Sequence, residues 1–122
     1  MIAAQFDSDI LIDALNGHRP ALAEIRRAGP KRVSRLSWIE IMAGADDASA
    51  RAVESFLSSF TIDEITEAVS RRAAQLSIDR KGLTLASAIV LASAQISGRI
   101  LVTRNTKDFP ANMPGIRVPY QF

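Results

Sequence analysis

The sequence predicts an α/β fold with a mainly parallel central sheet covered by helices on both faces. Three observations predict it. Short apolar runs alternate along the chain with segments whose apolar residues recur at helical spacing. The 122 residues suffice for one domain with a proper core, and are too few for two. Hydrophobic residues make up 48%, with only six Gly and five Pro, as in an ordered globular chain. Strands alternating with helices pack as a parallel sheet between two helical layers, an α/β/α sandwich.

The elements follow in order. Residues 1–6 form the first strand, and Asp7-Ser8-Asp9 leads at once into a helix over residues 10–15. Asn16-Gly17 stops that helix. Pro20 opens the next, with Leu22 and Ile25 on its buried side, and Gly29-Pro30 ends it. Residues 33–36 read as the second strand. Ser37 then caps a helix from Trp38 to about Ala43, stopped by Gly44, and another helix covers roughly 48–57. Residues 60–62 are the third strand. Ile65, Val69, Ala73 and Leu76 mark a long helix. Leu85, Ile89, Ala92 and Ile96 mark the next, which is apolar on its other face too and so belongs in the centre of the molecule. Gly98 stops it. Residues 100–102 and 116–118 are the fourth and fifth strands. Trp38, Met42, Phe56 and Phe60 read as core.

Composition narrows the chemistry. No cysteine is present, which removes disulfides, thiolate metal sites and cysteine nucleophiles. The single histidine, His18, sits beside Arg19-Pro20 in a loop, a poor place for a Ser-His-Asp triad. No apolar stretch reaches the ~18 residues of a membrane helix, and no signal peptide is expected at the N-terminus. These traits fit a cytoplasmic protein without a membrane partner. Net charge is only +2, yet Arg26, Arg27, Lys31, Arg32 and Arg35 cluster, as do Arg71, Arg72, Arg80 and Lys81. Such clusters are usually solvated faces and sometimes phosphate-binding ones.

Polar residues at strand ends carry the functional reading, because ligands of open α/β sheets bind beyond the carboxyl ends of the strands. Asp7 ends the first strand, with helix capping as its plain explanation. Glu40 lies among Trp38, Ile39, Ile41 and Met42, where an ionised side chain costs free energy unless it is paired, ligates a metal or faces solvent. Thr103, Asn105 and Asp108 follow the fourth strand and can turn toward the same crevice. Carboxylates converging from separate strand ends repel one another unless a cation lies between them. Hard oxygen ligands suit Mg²⁺ or Mn²⁺, and such an ion promotes in-line displacement at phosphate. Neighbouring basic residues would then hold a nucleic-acid backbone.

The motifs resemble a known family. Residues 6–13, with Asp7, resemble the first motif of PIN-domain ribonucleases; residues 34–44, with Glu40, resemble the second; residues 101–109 resemble the last, in the form found in VapC-type toxins of bacterial toxin–antitoxin pairs. The resemblance spans nearly the whole chain and implies a single PIN domain over residues 1–122. It further implies a Mg²⁺- or Mn²⁺-dependent endoribonuclease acting in the bacterial cytoplasm on RNA. A VapB-like antitoxin would neutralise it, two copies would form a homodimer, and promoter DNA would be bound only through the antitoxin complex. Carried over by position, Asp7, Glu40 and Asp108 are the acidic and metal-holding residues and Asn105 completes the catalytic wall, with Arg104 and Lys107 as RNA-binding side chains. One position departs from the pattern. The family's penultimate helix carries an acidic ligand where this chain has Ser87, in the stretch Ser87-Ala88-Ile89-Val90-Leu91-Ala92-Ser93-Ala94.

Three alternatives stand beside this reading. Ser87 motivates a catalytically inactive PIN module that binds antitoxin or RNA. Asp7 and Asp9 also match the nucleophile and acid/base of a haloacid-dehalogenase-type phosphatase, which needs a late pair of metal-binding acids. A bacterial receiver domain would use Asp63 as phosphoacceptor at the end of a central strand, although Asp63 looks more like a helix cap.

Overall fold

The structure, a computed structural model, describes residues 3–122. Of the predicted first strand, residues 1 and 2 lie outside the described residues; the remainder forms β1 (Ala4–Phe6). It is followed by α1 (Ser8–Leu15), α2 (Arg19–Arg27), β2 (Lys31–Ser34), α3 (Arg35–Gly44) and α4 (Ala50–Leu57). Then come β3 (Thr61–Asp63), α5 (Glu67–Asp79), α6 (Leu85–Ser97), β4 (Ile100–Val102) and β5 (Ile116–Arg117). The strands form one sheet in the order β3-β2-β1-β4-β5, and every pairing is parallel.

Strand alternation builds two cores from this sheet. Phe6, Val33 and Val102 point to one face and pack with α1–α4 through Ile10, Leu11, Ala21, Ile25, Ile41 and Leu57. Leu101, the neighbour of Val102, points to the other face, where Phe109 and the α5–α6 pair bury Val69, Ala73, Leu76, Ala88 and Leu91. Gln5 also faces α6 and donates to the Val90 carbonyl at 3.2 Å. The three-layer arrangement is the one expected.

Several boundaries move. Ser34 rather than Ser37 caps α3, accepting from the Ser37 N–H at 3.0 Å, so strand and helix both begin earlier than predicted. Ile65 precedes α5 instead of lying on it, and Thr66 supplies the cap. Asp63 is a strand residue, buried and paired with Arg32 at 2.6 Å, so the cap reading is wrong. Because β3 is an edge strand, Asp63 also cannot serve as a central-strand phosphoacceptor. Helix α6 is buried along its middle, but Leu85 and Ile96 near its ends are exposed, contrary to the all-round apolar expectation. Thr84 caps it, and Gly98 ends it with φ +68°, a conformation that glycine adopts without a steric penalty. Among the described residues no helix is long and apolar enough to cross a membrane.

The strand order places one feature of consequence. From β1 the chain runs outward to β2 and β3, then returns to the other side for β4 and β5. The switch therefore lies between β1 and β4, where crevices form at the carboxyl ends of strands. Asp7 leaves β1 there and Thr103 leaves β4.

Candidate active site

Asp7 occupies the N-cap of α1 in extended backbone, and its own N–H extends the sheet by donating to the Val102 carbonyl at 2.9 Å. Its carboxylate accepts from the Ser8 N–H and from the Thr103 hydroxyl, each at 2.8 Å. Capping and site geometry are thus the same fact, not rival explanations. Only 8% of Asp7 is exposed. Burial pushes its pKa up; the two hydrogen bonds pull against this, while the charges of Glu40 and Asp108 push further upward.

Asp108 is equally buried and stands across the crevice. The Ser87 hydroxyl donates to its Oδ2 at 2.5 Å, and Asn105 Nδ2 approaches the same oxygen at 3.4 Å. The main chain is held as well. Asp108 N–H faces Asn105 Oδ1 at 3.4 Å, and the Arg80 guanidinium donates to the Asp108 carbonyl at 2.5 Å. In the sequence Arg80 stands out only as one of a basic cluster, because a residue in an α5–α6 turn carries no motif.

Glu40 needs a correction of its environment. Its apolar neighbours suggested a desolvated carboxylate, but Ile39 is itself 47% exposed and Glu40 lies on the solvent side of α3. It nevertheless lines the same open pocket of about 600 Å³ as Asp7, Asp9, Ser87, Asn105 and Asp108. Asp9 is the acid that sequence reading left outside the site. Its carboxylate accepts from the Ile10 N–H at 2.7 Å and the Arg104 N–H at 3.2 Å. Burial first, then the Asp7 charge, raise its pKa to about 6.

The basic residues divide. Lys107 is exposed at the pocket rim. Arg104, expected as an RNA contact, also lines the pocket and makes a bidentate pair with Asp13 at 2.7 and 2.9 Å. Four of the clustered arginines pair with acids of the chain itself: Arg32 with Asp63, Arg35 with Glu64, Arg71 with Glu67 and Arg27 with Glu24.

Five carboxylates are buried among the described residues: Asp7, Asp13, Glu24, Asp63 and Asp108. Three have arginine partners, Asp13 with Arg104, Glu24 with Arg117 and Asp63 with Arg32. The two in the pocket, Asp7 and Asp108, have only neutral donors. A buried carboxylate without a counter-charge is costly unless a cation joins it. Among the described residues, no three acids or histidines stand close enough to form a ready-made metal cage. The donor set is nevertheless all oxygen, and Mg²⁺ commonly binds through one or two carboxylates with water completing its shell. The residues therefore fit a hard divalent ion and offer nothing to a soft one.

Comparison with known proteins gives a consistent picture. The PIN domain family matches residues 5–112. Ribonuclease VapC10 of Mycobacterium tuberculosis is 34% identical over a 113-residue alignment spanning 85% of this chain and 84% of the relative. A toxin-antitoxin complex from Klebsiella pneumoniae contains a chain with TM-score 0.91 and 38% identity, covering 98% of this chain and 100% of that one. A chain of VapBC2 from Rickettsia felis, bound to a DNA fragment from its promoter, superposes with TM-score 0.73 at 18% identity over 95% and 96% of the two chains, a likeness of fold.

Proposed function

The chain belongs to the PIN-domain family as a VapC-type member, and from that premise we propose that it is an RNA-hydrolysing toxin neutralised by a cognate antitoxin. The reading takes residues 1–122 as one such domain. Membership displaces the phosphatase alternative, and Asp9, bound to two main-chain N–H groups, is poorly placed as a mobile acid/base.

The observation that carries the enzymatic reading is the pair of buried carboxylates without cationic partners at the sheet's switch point. Asp7 and Asp108 would hold a divalent cation, Mg²⁺ or Mn²⁺, with Glu40 at the mouth of the pocket. Bound there, such an ion would acidify a water molecule and neutralise charge on the phosphate under attack. The Thr103 hydroxyl fixes one oxygen of Asp7, while Ser87 and Asn105 fix one of Asp108. Each carboxylate is thereby aimed before any ligand arrives. Lys107, exposed beside them, supplies the cation that attracts an RNA phosphate.

An antitoxin has a surface to occupy. Helices α1, α3 and α4 border a groove of about 380 Å³ lined by Ile12, Leu15, Ile41 and Val53, and Ile12 and Leu15 are 42% and 37% exposed. Exposed apolar patches of this kind mark protein interfaces. The α5–α6 pair leaves Ile78 and Leu85 exposed, side chains that a second copy of the chain would cover in a homodimer. Promoter DNA would be reached through the antitoxin complex; the VapBC2 complex of Rickettsia felis is itself bound to a fragment of its promoter.

A second reading, an antitoxin-binding module without turnover, rests on Ser87. A hydroxyl donating to Asp108 brings no charge where the family has an acid. One experiment decides: incubate the chain, Ser87→Asp and Asp7→Asn with RNA and Mg²⁺ or Mn²⁺. Cleavage by the unaltered chain, lost in Asp7→Asn, is the expected result. Cleavage by Ser87→Asp alone would establish the silent module, and cleavage by neither would count against the nuclease.

A further inference from the structure

We infer that Arg104 is a positioning residue, and that Asp9, Asp13 and Tyr120 form with it a clamp setting the separation of Asp7 and Asp108. The inference rests on the nuclease reading of that pocket and assigns these residues a part the motifs do not.

Asp9 and Asp13 stand four residues apart on α1 and so share one face of it. Both grip the same partner. Asp9 takes the Arg104 main-chain N–H at 3.2 Å, and Asp13 takes the guanidinium in a two-pronged pair at 2.7 and 2.9 Å. Arg104 is therefore fastened to α1 at both its backbone and its side-chain end. It is also the residue between Thr103, which donates to Asp7, and Asn105, whose N–H donates to the Thr103 hydroxyl at 3.0 Å. The segment that reaches Asp108 thus leaves β4 at an angle set by α1, the helix that Asp7 caps.

Aromatic side chains close over the clamp. Tyr120 donates its hydroxyl to Asp13 Oδ2 at 2.7 Å, and the Phe122 ring covers the Arg104 guanidinium at 4.2 Å. His18 packs edge-on against both rings, at 4.7 and 4.9 Å. A guanidinium paired on its fork and covered on its face has little left for a phosphate. The geometry opposes the RNA-contact role that position alone suggests, and substitutes orientation of the metal-holding acids. Groups supporting metal ligands from behind typically alter metal affinity by about 10–100-fold when removed.

The two roles predict different kinetics. Mn²⁺ binding is measured by calorimetry, and kcat and KM on an RNA oligonucleotide that the unaltered chain cleaves, for Asp13→Asn, Arg104→Ala, Arg104→Lys and Tyr120→Phe. As a clamp, Asp13→Asn and Arg104→Ala each weaken Mn²⁺ binding by about tenfold and lower kcat, with KM for RNA unchanged. Arg104→Lys fails to restore either, because an ammonium cannot make the fork. As an RNA contact, Arg104→Ala raises KM with Mn²⁺ binding intact, and Asp13→Asn, which frees the guanidinium, leaves kcat unchanged; that result overturns the inference. Should the charge variants not fold, Tyr120→Phe keeps every charge and weakens Mn²⁺ binding about threefold by the same route, and unchanged affinity there overturns the inference equally. If the unaltered chain neither binds Mn²⁺ nor cuts RNA, the nuclease reading falls and the clamp with it. Binding and cutting that survive every clamp variant sink the clamp alone.

Discussion

Two regions of this molecule handle buried carboxylates in opposite ways. Asp13, Glu24 and Asp63 each lie against an arginine of the chain itself. At the switch point between β1 and β4, Asp7 and Asp108 lie against hydroxyls, amides and one another's charge. The first arrangement is self-sufficient, since each acid is neutralised inside the chain. The second leaves two acids without a counter-charge, which the proposed divalent ion would supply. The proposed site is the place where the chain does not neutralise its own charge.

The comparison is broken most forcefully at Asp7. Asp7→Asn should lower RNA cleavage by at least about a thousandfold, since the metal-holding charge goes. The same change should stabilise the metal-free protein by about 1 kcal/mol, because a desolvated charge is removed while the hydrogen-bonding shape persists. A parallel measurement of cleavage rate and EDTA-treated melting temperature checks both, and loss of stability would contradict the strain assigned to this site.

Ser87→Asp comes next. Restoring an acid beside Asp108 should tighten Mg²⁺ or Mn²⁺ binding by about tenfold and lower metal-free stability, as two carboxylates then share the place of one hydrogen bond. Calorimetric titration with each ion measures the affinity. Equal binding by both proteins would show that position 87 lies outside the ion's reach.

Asp63→Asn tests the self-sufficient region. It leaves Arg32 and Arg99 beside a neutral group, and should destabilise the fold by about 1–3 kcal/mol, discounted for the partial exposure of both arginines, with cleavage unaffected. Urea denaturation reads the first effect, and any loss of activity beyond that from unfolding would blur the division between the regions.

The smallest effect is the dependence on pH. Asp9 holds its proton up to about pH 6 in the folded chain, against the ordinary carboxylate range unfolded. Its contribution is therefore complete below about pH 4 and lost as pH rises through 6. Asp7, raised in the same direction, acts alike, whereas Asp13, held low chiefly by Arg104, contributes above the ordinary range and is lost only in stronger acid. The metal-free protein should thus lose about 2 kcal/mol between pH 4 and 6. Saturating Mg²⁺ should reverse the trend, since the ion needs ionised carboxylates. Melting curves in EDTA that stay flat over this range, and remain so in Asp9→Asn, would remove the distinction between the two regions.

Much of this was legible in the chain. Apolar runs and their period located every strand and helix, because burial of one face is a local repeating demand. Caps were less secure. Ser34 and Ser37 offer the same chemistry three residues apart, and only the strand's pairing with β1 and β3 chose between them. Asp63 looked like a cap because sequence cannot see Arg32 beside it. Glu40 looked buried because its neighbours are apolar, yet α3 turns that position outward.

The sequence by itself determined the fold class and the order of elements, since these follow from local periodicity, and its motif order singled out Asp7, Glu40 and Asp108, which line one pocket. Only the tertiary structure decided which charges are satisfied. Arg104 and Lys107 are near neighbours in sequence, but one is locked to Asp13 on α1 while the other is exposed. Arg80 reaches Asp108 from 28 residues away, and Tyr120 reaches Asp13 from 107. Whether a charge is paired depends on what the fold brings within a few ångströms, and spacing along a chain does not contain that distance.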